Sequence, residues 1–145
     1  MFSLSSMPKL DHDRIVAAIA AAERESSGQI RVLISHGRTK DAVPAAKKHF
    51  ERLHMTRTRL RNGVLIFVVP RSRVFAILGD TGIHEKCGEG FWGELAGAMT
   101  VYFKRGEFTE GIEHGIQRAG RLLAQHFPRL PDDRNELPDR VEETD

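Results

Sequence analysis

Seven consecutive residues, from Gly63 to Val69, carry no polar side chain. Alternate residues of a strand face opposite ways, so a strand apolar on both faces must be covered on both. The run is far too short to span a bilayer. The rest of the chain must therefore supply a layer for each face of a sheet. At 145 residues it suffices for one domain with a core of its own.

The flanking pattern supplies those layers. Asp11 or Asp13 caps a first helix, with Ile15, Ala18, Ile19 and Ala22 on one stripe. Ser26, Ser27 and Gly28 stop it, and Gly28 is expected in the left-handed conformation that follows helix ends. Residues 29–35 alternate and are rich in β-branched side chains, as a strand requires. A second helix starts between Thr39 and Ala42, tolerates Pro44 in its first turn, and turns Ala42, Ala46, His49, Phe50 and Leu53 to one side. Pro70, Arg71 and Ser72 turn the central strand back into residues 73–78. A helix is expected from about Glu85 or Glu89 to Phe103, and a last one carries Phe108, Ile112, Ile116, Ala119, Leu123 and Phe127. The order αβαββαα predicts an α/β fold: a small mixed sheet, its first two strands parallel and its third antiparallel, sandwiched between helices in a single domain. Residues 1–9 read as a lead, 10–128 as the domain, and 129–145 as an acidic, proline-containing, extended tail.

The net charge of +2 conceals an asymmetry. Seven acids against two bases leave residues 131–145 at −5, so the remainder carries +7. Such a body attracts anions or its own tail. The lone Cys87 excludes an intrachain disulfide. With no basic, apolar leader at the start and no long apolar run, the expectation is a cytoplasmic protein without a membrane span.

A hairpin turning at residues 70–72 pairs positions whose numbers sum to about 142, which sets Asn62 opposite Asp80. The parallel first strand brings Gln29 and Glu23 to the same end of the sheet, and Glu85 follows within one loop. Carboxylate and amide oxygens are the donors that calcium or magnesium prefers, so Asp80, Asn62, Gln29, Glu23 and Glu85 form a candidate site for a divalent cation. The plainer reading is that Asp80 and Asn62 organise turns. Gly82, with Arg61 and Arg31, is a candidate anion site before a helix start. His84 adjoins Asp80 and Glu85 and is the histidine placed for a functional role. No zinc-ligand spacing, P-loop, nucleophile elbow or phosphatase-type cysteine loop occurs. Arg57, Arg59, Arg61, Arg71 and Arg73 form a dense basic cluster, but it lacks the interleaved aromatics of a nucleic-acid surface, and a solvated face or a dock for the acidic tail is the expected role. Gly111 and Gly115 are spaced to let helices approach closely.

These landmarks resemble a TPM domain. The resemblance rests on Ala22-Glu23, on Ser27 through Val32, on Arg61 through Ile66, on Ile77 through Glu85, on Phe91-Trp92 and on Gly106 through Ile112. The ending His126-Phe127-Pro128, with Asn135 through Asp139, is similar to the stand-alone bacterial members. The resemblance implies an α/β sandwich, divalent-cation binding (calcium in particular) and a metal-dependent phosphatase activity of weak or unassigned kind. It assigns no catalytic residue. Relatives often carry Glu where this chain has Gln29, so the implied cation site has lost one formal charge. Many relatives also carry a membrane helix that this sequence lacks. The alternative is a non-enzymatic module that binds a protein partner through its helices or acidic tail.

Overall fold

A computed structural model describes residues 10–88, 90–129 and 141–144. Helix α1 (His12–Arg24) begins at Asp11, whose carboxylate accepts the Arg14 amide at 3.1 Å. Strand β1 (Gln29–Ser35) follows, then α2 (Ala42–Arg52), capped by Asp41 through the Val43 amide at 3.2 Å. Strands β2 (Gly63–Val69) and β3 (Val74–Gly79) form the hairpin, and β3 leads directly into α3 (Thr81–Cys87). Helices α4 (Gly90–Lys104) and α5 (Phe108–His126) and strand β4 (Val141–Thr144) complete the order.

The sheet runs β3-β2-β1-β4, with β1 parallel to β2 and β4, and β2 antiparallel to β3. The apolar run from Gly63 is thus an inner strand, and all seven of its residues are buried. Its residues divide by parity. Val64, Ile66 and Val68, with Ile30, Val32 and Ile34 of β1, pack under α1, α4 and α5 through Ile15, Ile19, Leu95, Met99, Ile112 and Ile116. Leu65, Phe67 and Val69, with Leu33, meet Ala42, Ala46 and Phe50 of α2. Full burial of each such side chain contributes about 1.5–3 kcal/mol. Close helix packing depends on the glycines of α5: a Cβ at Gly111 would stand 2.5 Å from Phe103, and one at Gly115 would stand 2.8 Å from the Met99 sulfur.

Three local expectations are corrected. Gly28 is not left-handed, since positive φ among the described glycines occurs at Gly88 and Gly106. Gly28 instead lets Leu123 approach, where a Cβ would meet it at 2.7 Å. The expected long helix after β3 is two helices, broken at Gly88 with φ of 70°. The hairpin register is displaced by one, because Arg73 adopts φ of 55° and Val69 pairs with Val74. Of the tail, expected as extended chain, Val141–Thr144 form a strand that pairs with Val32 through Ser35 of β1, while residues 130–140, like the lead 1–9, lie outside the described residues. Among the described residues no helix is long and apolar enough to cross a membrane.

Candidate functional site

Strand register fixes which loops meet. β1 and β2 start, and β3 ends, at the same end of the sheet. There the Gln29 amide donates to Asn62 O at 3.3 Å, the Asp80 amide to Gly63 O at 3.0 Å, and the Gly82 amide to Arg61 O at 2.9 Å. The sequence expectation that Glu23, Gln29, Asn62 and Asp80 gather at one edge therefore holds for the backbone. Their side chains divide between the two faces.

On the α2 face, Asp80 is buried and caps α3 by accepting the Thr81 amide at 2.7 Å. Its carboxylate also takes a two-pronged contact from Arg61, Nε to Oδ2 at 2.7 Å and Nη2 to Oδ1 at 3.0 Å. This fork is the strong geometry for a carboxylate–guanidinium pair. The hydrogen bond and charge of Asp80 raise the Arg61 pKa above its ordinary value, against a smaller opposing effect of burial. Arg61 reaches this position from a left-handed backbone, φ 52°. A cleft of about 420 Å³ lies beside the pair, lined also by Lys47, Glu51, Thr56 and His84. Gly82 serves packing: a Cβ there would fall 2.2 Å from Leu60 O, and its amide is already bonded to Arg61 O.

On the α1 face, Asn62 is 1% exposed. Its Nδ2 donates to Ser27 Oγ at 3.2 Å and its main-chain amide to Thr58 Oγ1 at 3.2 Å. Its Oδ1 is buried with no hydrogen-bond partner among the described residues. Glu23, on the last turn of α1, accepts the Ile30 amide through Oε2 at 2.6 Å. Strand alternation sets Gln29 and Arg31 back on the α2 face, with Leu33. Gln29 donates through Nε2 to Ser27 O at 3.4 Å. Arg31 is buried, with Nη2 at 3.9 Å from Glu142 Oε1 of β4. Glu85 and His84 are exposed on α3, His84 lying 6.3 Å from the Trp92 ring.

The structure thus joins Asp80 to Arg61 and sets Glu23 and Asn62 on the other side of the sheet, with Glu85 outside both groups. Among the described residues no three His, Cys, Asp or Glu side chains are grouped to hold a metal ion. A charge-rich calcium cage does not fit this arrangement. Cysteine chemistry has no support either, because burial raises the Cys87 pKa and its Sγ contacts Ile83 O at 3.0 Å. Ser27 and Thr58, the buried hydroxyls that hold Asn62, were not legible as site residues; in sequence they are turn residues.

The sequence profile of the TPM domain matches residues 7–122. The chain belongs to the TPM domain family. It is 37% identical to the BA42 protein of the psychrophilic bacterium Bizionia argentinensis, over 97% of this chain and 99% of that one, with a TM-score of 0.87. The N-terminal domain of a P. gingivalis protein shares the fold, at 17% identity and a TM-score of 0.60, over 81% of this chain and 76% of that one. No curated protein matches the chain.

In this TPM domain the arginine cluster does not form one patch. Arg57, Arg59 and Arg61 precede β2, whereas Arg71 and Arg73 follow it. A seven-residue strand separates the two groups by about 20 Å. Arg61 is held by Asp80, and Arg71 Nη1 lies 3.5 Å from His36 O. The continuous basic stripe that a phosphate backbone requires is therefore interrupted.

Proposed function

We propose that this TPM domain binds a divalent cation, calcium or magnesium, at the β1–β2 end of its sheet, and that Asn62 rather than Asp80 anchors the site. One observation carries the reading: Asn62 Oδ1 is buried with no hydrogen-bond partner among the described residues. Leaving such an acceptor unsatisfied costs about 1–3 kcal/mol, so a hard cation or an ordered water suits the place. Glu23 belongs to α1, the helix packed on that face, and supplies one negative charge. Ser27 Oγ, already hydrogen-bonded to Asn62, is a neutral oxygen nearby. A donor set with a single carboxylate belongs to the weak end of the calcium range, with a Kd of about 10⁻⁴–10⁻³ M. Asp80 is less suited, because the Arg61 guanidinium already neutralises it.

A bound cation would supply a positive centre that Asn62 and Glu23 lack. Phosphomonoester hydrolysis is outside this reading. The cleft beside Arg61 and Asp80, lined also by Lys47 and Glu51, lies on the α2 face, and Asn62 and Glu23 lie on the other. Thermal unfolding after chelation, with calcium or magnesium added back to 100 times Kd, tests the site. It should stabilise the wild type by about 2.7 kcal/mol, a rise of a few degrees in Tm. Asn62→Ala should lose that rise and Asp80→Asn should keep it. The reverse pattern would move the site to Asp80.

A further inference from the structure

At the opposite end of the sheet, between the β2–β3 turn and the α4–α5 junction, lies a cavity of about 600 Å³. This is within the range of small-molecule sites, about 300–1,000 Å³. Its walls are apolar. Val68 comes from β2, Phe75 from β3, Phe103 from the end of α4 and Phe108 from the start of α5. The rings brace one another: Phe75 meets Phe103 edge-on at 4.9 Å, and Phe103 stacks on Phe108 at 5.4 Å. Two exposed cationic residues, Arg73 and Lys104, also line the cavity. Arg73 is held in a left-handed backbone conformation, φ 55°, by its amide bond to Pro70 O at 3.1 Å. Lys104 has no ion-pair partner among the described residues.

We propose that this cavity binds a small amphiphilic anion: an apolar chain or ring seated among Val68, Phe75, Phe103 and Phe108, with one carboxylate or equivalent group at Arg73 and Lys104. The apolar walls set the body of the ligand, because water held there forgoes its hydrogen bonds. The two cations set its head, because an anion draws Coulomb energy from both while a neutral head draws none. The site is independent of the cation site, which lies at the far end of β2.

Titration of the isotope-labelled full chain with decanoate, followed by amide and methyl NMR, tests the proposal. Saturable shifts should concentrate on the cavity walls, and decanol should bind about tenfold more weakly. Lys104→Glu should weaken decanoate by about tenfold and leave decanol unchanged. Thr100→Trp, which fills the cavity from a half-buried helix position, should block both; if that variant does not fold, the charge reversal still decides. Absence of shifts at millimolar decanoate, equal affinity for decanol, or indifference to Lys104→Glu would overturn the proposal. Shifts at the same walls that follow protein concentration without amphiphile would assign the cavity to a second copy of the chain and overturn it too.

Discussion

The Glu23 carboxylate accepts the main-chain amide of Ile30 at 2.6 Å, and so completes a strand edge that no neighbouring strand reaches among the described residues. On that side of β1, β4 pairs only from Val32 onward. The amide of Ile30, a fully buried residue, would otherwise be left without an acceptor. Glu23 is thus structural first, and any cation it helps to hold meets a carboxylate that is already positioned.

Glu23→Ala should destabilise the domain by about 2–3 kcal/mol, since a charge-assisted bond is lost and a buried donor is stranded. Glu23→Gln keeps an acceptor and should cost less than half of that, while weakening calcium binding. Urea unfolding of the three proteins, with and without calcium, separates the two roles. Equal stability losses for both variants would refute the hydrogen-bond account.

The Asp80–Arg61 pair should behave as a coupled unit. Asp80→Ala removes a helix cap, worth about 1 kcal/mol, together with the ion pair. Arg61 is half exposed and recovers hydration when released, so the pair itself is worth about 1 kcal/mol or less. A double-mutant cycle of Asp80→Ala and Arg61→Ala should return that coupling, and a value near zero would mean the fork contributes nothing to stability.

Stability should fall below neutral pH. Burial lowers the pKa of His49 from 6.5, with a smaller contribution from Arg52, and burial lowers that of His114, with Arg118 and Arg121 adding to it. Both rings are harder to protonate in the folded state than in the unfolded one. The unfolded chain therefore binds more protons once pH drops below about 6.5, and the contribution is lost as pH falls on through the folded pKa values. Chemical unfolding at pH 7.5 and 5.5 should show the loss, and His49→Gln combined with His114→Gln should reduce it. A double variant with the wild-type slope would place the dependence elsewhere.

Removing residues 141–145 should destabilise the fold and expose the β1 edge. β4 brings Val141 against the core, Glu142 toward Arg31, and Thr144 O to the His36 amide at 2.7 Å. A bared inner strand is a template for self-pairing. Sedimentation should show association of the truncated chain at concentrations where the full chain stays monodisperse; unchanged sedimentation and an unchanged Tm would remove β4 from the sheet's stability.

What the sequence revealed follows from how local each feature is. The inner position of β2 was legible because Val64 through Val69 are apolar on both faces, and α1 and α5 because their stripes recur at helical spacing. β4 was hidden: Val141 is the single apolar residue in Val141–Thr144, and its pairing comes from β1. The one-residue hairpin shift arose from Arg73 in a conformation that glycine usually supplies. Shared edge position of Asn62 and Asp80 was readable from register. Their opposite faces follow from that one-residue shift, which sets Asp80 level with Gly63, whereas the capture of Asp80 by an arginine nineteen residues before it depends on side-chain packing that register does not encode.

The most direct measurement is the side-chain amide resonance of Asn62 during titration of the chelated protein with calcium and with magnesium. The account predicts a saturable shift at Asn62 Nδ2, accompanied by the Ser27 and Ile30 amides, while Thr81 and the Arg61 side chain stay still. Shifts centred on Thr81 and Arg61, or no shift at Asn62 at millimolar cation, would contradict it.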